Sequence, residues 1–308
     1  MTTASFSSHD SKPAVPRRRV LIAGATGRQG GAIARGLLRD GLAVRALTRN
    51  TASPAAVALT ALGASVVAGD LNDPSSLVDA VAGVDTVVLV STPYEEGPEA
   101  EIRQGTALVD AAKNAEVEHF VFNSVASGNR KTGVPHFDSK GVIERHLEAT
   151  GMPYTIVAPS AFVDDWLTDL DALGDLKGGH LSMAMTPTRE LQQISIAEVA
   201  AVSVLVTEQR EPFLGERIEL ASDSISGLEM AKIISQESGQ NIEYRELSAA
   251  QAEEFMGYDL ATMFTWFETT GFDVEVEALQ QRFPTVGWTT FEQWAQAQDW
   301  SALEPDAA

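Results

Sequence analysis

The stretch RRRVLIAGATGRQGGAIARGLLRDG, residues 17–41, joins a β-type run to an amphipathic helix through Gly24, Gly27 and Gly30, spaced three residues apart. Few folds use such a junction. Gly24 permits the tight turn, Gly27 lets the backbone approach a pyrophosphate, and Gly30 lets the helix pack on the sheet. The free N–H groups and positive dipole end of the helix would receive the anion. The plainer alternative is a tight strand–helix connection that holds nothing.

The same alternation of strand and helix continues to about residue 160. β-type runs occur at 19–24, 43–49, 64–70, 85–91, 119–124 and 153–159, without polar/apolar alternation, as strands buried on both faces require. Helical patterns fill 30–40, 54–62, 74–82, 99–113 and 137–150. Asp73-Pro74 supplies an N-cap and an N1 proline. Gly41, Gly63, Gly83 and Gly151 follow helix ends, where a left-handed residue is wanted. Right-handed crossovers then make an α/β fold, a Rossmann-type doubly wound parallel sheet.

Past residue 160 the rhythm changes. A helix is expected at 162–173, followed by the segment GGHLSMAM at 178–185, a strand near 191–196, a helix at 197–207, a strand at 216–222, a helix at 227–238, a strand at 242–247, and helices from 249 onward. Thr289 and Glu292 suggest a capping box opening the last helix. The division expected is a tail at 1–17, a dinucleotide-binding domain at 18–160, and a smaller, mostly helical α/β domain at 161–308 for substrate or partner, some of whose strands extend the main sheet.

Composition narrows the function. With 43 Asp+Glu against 22 Lys+Arg, the formal net charge is −21. That field repels nucleic acid and anionic lipid, and no basic stripe overcomes it. The absence of cysteine excludes disulfides, thiol catalysis and Cys-ligated zinc, and the five histidines lack metal-ligand spacing. Residues 1–16 are Ser/Thr/Pro-rich and read as disordered. VLIAGA after the arginines at 17–19 is too short for an export signal, and no segment is long and apolar enough for a membrane helix, so the chain is read as cytoplasmic.

The second strand bears on the cofactor. NAD-specific folds end it with a carboxylate for the ribose 2′-OH. Here it ends ALTRN, with Arg49 at that place and Arg28 projecting from the glycine turn. Two guanidinium groups around one spot suit a 2′-phosphate, so NADP(H) is expected over NAD(H). Arg49 as a solvated strand-end charge is the alternative. Asp70 either receives the adenine amino group or caps the next turn.

Short-chain dehydrogenases use Tyr-x-x-x-Lys, the lysine holding the nicotinamide ribose and the tyrosine protonating the carbonyl. In VPHFDSKGVIERHLEATG, Lys140 has the lysine place and His136 stands four residues before it. Ser124, ending the fifth strand, takes the place of a catalytic serine. The candidate catalytic set is Lys140, His136 and Ser124. The dinucleotide set is Gly24, Thr26, Gly27, Arg28, Gln29, Gly30, Arg49, Asp70, Leu71, Ser91, Thr92, Lys140, Pro159 and Phe162. No metal ligand is assigned.

GATGRQGG, TRN, GDLND, HFDSKGVIERHLEATGMPYTIV and LATMFTWFETTGFDVEVEALQQRFPTVGWTTFEQW resemble the NmrA-like family of atypical short-chain dehydrogenases, in its HSCARG-type branch. The stretches span almost the whole chain after residue 18. His-x-x-x-Lys and the closing T-F-E-x-W are rather specific to that branch. The resemblance implies NADP(H) held by Gly24, Gly27, Gly30, Arg49, Lys140 and residues 159–162. Many such members are regarded as cofactor sensors with little or no dehydrogenase activity, whereas wider relatives reduce quinones, enones or imine-like substrates. Two departures stand out: Arg28 follows the second glycine, where a small residue is often found, and Asp164 stands near the usual Asn.

Two functions are therefore expected in order. The first is an NADP(H) sensor acting through a protein partner, favoured by the missing tyrosine. The alternative is an NADPH-dependent reductase in which Lys140 orients the cofactor, His136 donates the proton, and Phe137, Phe162 and Trp166 wall a pocket for a flat substrate. For those aromatics plain core packing is the alternative. The Met- and aromatic-rich stretch 254–272 either covers the cleft or forms the smaller domain's core, with core preferred. Substrate, partner and oligomeric state stay open, an oligomer being compatible with either function.

Overall fold

The computed structural model describes residues 18–168 and 175–303. The expected tail, and the end of the expected helix at 162–173, lie outside the described residues. The chain runs β1 (Arg19–Ala23), α1 (Arg28–Arg39), β2 (Ala43–Thr48), α2 (Pro54–Ala61), β3 (Ser65–Ala68), α3 (Pro74–Val81), β4 (Thr86–Val90), α4 (Pro98–Asn114), β5 (His119–Asn123), α5 (Pro135–Ala149) and β6 (Tyr154–Pro159). It continues with β7 (Ala161–Phe162), α6 (Asp165–Thr168), β8 (His180–Met183), β9 (Glu190–Ile194), α7 (Ile196–Glu208), β10 (Glu216–Leu220), β11 (Asp223–Ser226), α8 (Gly227–Ser238), β12 (Glu243–Glu246), α9 (Ala249–Thr269), α10 (Val276–Arg282) and α11 (Phe291–Gln296).

Seven parallel strands form the main sheet in the order β10-β6-β5-β4-β1-β2-β3. This is the doubly wound arrangement, with the chain reversing direction between β1 and β4. β5 is buried at every residue and β4 at all but its last, as helices on both faces require. One face packs Ile33, Ala34 and Leu37 of α1 with Val199 and Val202 of α7; the other packs Leu108 and Val109 of α4 with Ile143 and Leu147 of α5. The α1–α7 contact is close because Gly36 has no side chain: a Cβ there would meet Val204 Cγ2 at 2.6 Å. β10, from beyond residue 160, thus joins the main sheet, and α7 covers it.

The remaining strands make two small sheets, β11-β9-β7 and β12-β8. They surround an aromatic and methionine core containing Phe137, Met183, Met230, Phe264, Phe267 and Trp294. Phe137 carries the start of α5 into this core.

Asp73 caps α3 as expected, its side chain accepting from Ser75 N, and Gly41, Gly63, Gly83 and Gly151 all take positive φ. Other local expectations are corrected. Residues 161–162 form no helix: Ala161 and Phe162 pair with Gln193 and Ile194 of β9, and sheet pairing overrides the helical pattern until α6. The last capping box is one residue later than expected, Thr290 with Gln293, because Thr289 donates its N–H and hydroxyl to the buried Glu198. α9 is broken by Gly257 at φ +82, and β11, with the sequence DSIS, forms without a strand pattern of its own.

Candidate functional site

At the end of β1 the chain turns at Gly24, φ +81, where a Cβ would meet Val90 O at 2.5 Å. Gly27 N donates to Gly24 O across 3.0 Å and closes the turn. A Cβ on Gly30 would lie 2.2 Å from Gly24 O, so any side chain there breaks the junction. Gly27 differs, since its Cβ would meet only Gly24 O, at 3.4 Å. The N-cap residue of α1 is Gly27, which has no side chain with which to cap the first turn. A helix start that its N-cap residue leaves uncapped, an open glycine and a helix dipole fit a pyrophosphate, and in this respect the residues suit a dinucleotide.

The turn opens on a cleft of about 1300 Å³ at the carboxyl ends of the main-sheet strands. All fourteen residues expected at the dinucleotide line it, as do Ser124 and His136. Their individual surroundings differ from the expectation in several places.

Lys140, nearly buried on α5, meets the wholly buried carboxylate of Glu101 on α4. Its ammonium also lies 3.2 Å from Ser91 O and 3.1 Å from Ser91 Oγ, so three acceptors surround its three donors. Glu101 further accepts from Ser91 Oγ at 2.7 Å and Ser139 Oγ at 2.5 Å. The lysine is thereby fixed at the tip of β4, its ammonium held against Ser91 on the cleft wall.

His136, in the first turn of α5, is 7% exposed, and its Nδ1 lies 2.7 Å from Asp259 Oδ1 of α9. The His136 backbone N–H donates to the same oxygen at 3.4 Å. An ionised carboxylate only accepts, so Nδ1 carries the hydrogen and Nε2 is left for the cleft. The Tyr94 ring stands beside the imidazole, centroids 5.9 Å apart.

Ser124 faces differently. Its hydroxyl donates to the buried Glu144, which Arg217 of β10 holds at 2.9 Å. This proton ties β5 to α5 and β10, away from Lys140 and His136. Gln29 likewise turns inward, donating to Asn123 Oδ1 at 2.9 Å.

The two arginines have separate partners. Arg49 Nη2 meets Glu95 Oε2 at 2.6 Å, while Arg28 Nη2 meets Asp165 Oδ1 of α6 at 2.5 Å. Acidic groups on different elements hold them, and both line the same cleft. Asp164 Oδ2 accepts from Ile196 N at 2.7 Å and so caps α7. Phe162 and Trp166 line the cleft with Phe255, Met256, Leu260, Met263, Phe264 and Phe267 of α9, and Trp166, Phe264 and Phe267 are at the same time buried in the aromatic core. The stretch 254–272 is thus both wall and core.

Sequence reasoning missed Glu101, Asp259, Tyr94 and Glu95. Glu101 had a signal: with Gly105, Leu108 and Ala112 it lies on the buried stripe of α4, an acid on an apolar face. The other three have no local signal.

The NmrA-like family profile matches residues 16–295. The photosystem II assembly factor Ycf39 of Cyanophora paradoxa is 28% identical over 255 residues, 80% of this chain and 76% of its own. The NAD(P)H azoreductase of Xenophilus azovorans is 28% identical over 243 residues, 77% of this chain and 80% of its own. Among solved structures, the Citrobacter sp. triphenylmethane reductase complexed with NADP(H) superposes with a TM-score of 0.77 at 23% identity, covering 91% of this chain and 100% of that one, a likeness of fold. No helix among the described residues is long and apolar enough to cross a membrane.

Proposed function

The chain belongs to the NmrA-like family, and on that premise we propose that it binds NADP(H) in the glycine-turn cleft and reduces a flat, apolar quinone-, enone- or imine-type acceptor. The observation that carries this reading is the His136–Asp259 pair, whose imidazole lines the same cleft as the glycine turn and Lys140.

The first turn of α1 takes the pyrophosphate, Arg49 the 2′-phosphate, and Lys140, on exchanging one of its Ser91 contacts, the nicotinamide ribose. The bound dinucleotide supplies a hydride. His136, oriented by Asp259, gives a proton from Nε2 to the acceptor's developing oxyanion or anionic nitrogen and regains one from solvent. Phe162, Trp166, Phe255 and Met263 offer faces for stacking a planar acceptor and exclude water from it. Two relatives named as reductases, one of an azo compound and one of a triphenylmethane, agree with an aromatic acceptor.

The test is calorimetric titration with NADPH and NADH, then a 340 nm oxidation screen over quinones, enones, imines and an azo dye. Expected are tighter binding of NADPH and turnover of at least one acceptor class. Tight NADPH binding with every acceptor untouched would return the function to a cofactor sensor acting through a protein partner.

A further inference from the structure

The loop from β4 to α4 crosses the mouth of the cleft at its Arg49 end. Gly97 N donates to Pro93 O at 2.7 Å, closing a turn with Tyr94, Glu95 and Glu96 at its tip. Two links tie this tip to the far wall. Glu95 Oε2 lies 2.6 Å from Arg49 Nη2 at the end of β2, with Glu96 Oε1 4.0 Å from Arg49 Nη1. Glu96 Oε1 also accepts from Asn72 Nδ2 at 3.0 Å, and Asn72 Oδ1 accepts from Gln104 at 3.3 Å. Asp70 adds its field to the same guanidinium. One cation therefore faces three carboxylates.

Arg49 is the cation that the strand-end position offers to a 2′-phosphate. A phosphate dianion cannot share it with Glu95 at hydrogen-bond distance without strong repulsion. A ribose 2′-hydroxyl makes no such demand, because a hydroxyl donates to a carboxylate. Occupation of Arg49 by Glu95 thus burdens the phosphorylated dinucleotide alone.

We propose that Glu95 competes with the 2′-phosphate of NADP(H) for Arg49 and thereby sets how far the chain favours NADP(H) over NAD(H). This rests on the dinucleotide reading of the cleft. NADP(H) binding requires the Tyr94–Glu96 tip to release Arg49; NAD(H) binding leaves the clasp closed. Both Arg49 and Glu95 are 57% exposed, which limits the coupling to about fivefold in affinity and makes it dependent on salt.

The experiment is calorimetric titration of NADPH and NADH into the full-length chain, its Glu95→Gln and Arg49→Ala variants, and the double variant, at low and high salt. Glu95→Gln keeps the shape and removes the charge at an exposed position. The expected result is NADPH binding tightened about twofold to fivefold at low salt, NADH binding unchanged, and no effect of Glu95→Gln once Arg49 is alanine. Equal tightening of both dinucleotides, or an effect that survives Arg49→Ala, overturns the proposal. Equal weakening of both by Arg49→Ala overturns it differently, by removing the 2′-phosphate from Arg49 while the cleft still binds. A wild-type chain that takes up neither dinucleotide overturns the cleft reading itself.

Discussion

The His136 imidazole donates its Nδ1–H to Asp259 across 2.7 Å, although 123 positions separate the two residues. The contact joins the start of α5 to α9 just beyond its break at Gly257. It fixes the tautomer and the orientation of the ring, as a carboxylate does for a histidine acid–base group. His136→Ala is expected to lower kcat for acceptor reduction about 10²- to 10⁴-fold while leaving the NADPH Kd unchanged. Asp259→Asn should lower kcat by a smaller factor, because the imidazole remains but loses its anionic partner. Parallel 340 nm kinetics and calorimetry check both; a fall in NADPH affinity matching the fall in kcat would make His136 a cofactor contact.

Lys140 and Glu101 form a buried ion pair whose carboxylate has no exposed surface. Breaking such a pair leaves a charge in low dielectric, at a cost of about 3–5 kcal/mol. Glu101→Gln should destabilise the fold by that order in urea unfolding. Lys140→Met with Glu101→Gln removes both charges and should recover part of the loss. A double variant no more stable than Glu101→Gln alone would show that packing, not charge, governs the site.

Gly27 and Gly30 separate binding from folding. Gly27 has an ordinary φ of −84°, and a Cβ there meets only Gly24 O at 3.4 Å, so Gly27→Ala should fold with little loss. The added methyl stands where the pyrophosphate approaches, and dinucleotide affinity should fall about tenfold or more. Gly30→Ala collides with backbone at 2.2 Å and should cost about 1–3 kcal/mol or more of stability. Thermal melts and titrations of the two variants distinguish these outcomes.

The main sheet was legible because its signals are local. Glycine turns, N1 prolines and doubly apolar strands each report on a few neighbouring residues, and β1 through β6 fall within a residue or two of expectation. The cleft was legible for the same reason, since strand ends converge on it in this topology. What stayed hidden depends on long-range partners. Nothing near Ala161 and Phe162 reveals that β9 will pair with them, and nothing near Thr289 reveals Glu198. Asp259 and Glu95 acquire a role only when folding sets them against His136 and Arg49. Ser124 is the converse, a serine at a promising strand end whose proton goes to Glu144 because β10 brings Arg217 alongside.

His119 at the start of β5 gives the fold a dependence on pH. It is wholly buried, and its Nε2 lies 2.9 Å from Thr155 Oγ1. That hydroxyl donates its own hydrogen to Phe213 O at 2.9 Å, so Nε2 must carry the ring hydrogen. Nδ1 is then the only ring atom that can take a proton, and it is buried without a hydrogen-bond partner among the described residues. Burial foremost, with the fields of Arg210 and Arg18, pushes the imidazole down to about 4. The unfolded chain protonates this residue near ~6.5. Between those values the unfolded state binds a proton that the native state refuses, so stability rises with pH there. The contribution is complete above the unfolded value and is lost as pH falls to about 4, amounting to about 3 kcal/mol in all and about 2 kcal/mol by pH 5. His119→Gln keeps a donor for Thr155 and cannot titrate. Urea unfolding of both proteins at pH 7 and pH 5 should show the wild type losing about 2 kcal/mol more than the variant across that interval. Equal losses would assign the acid sensitivity to other groups.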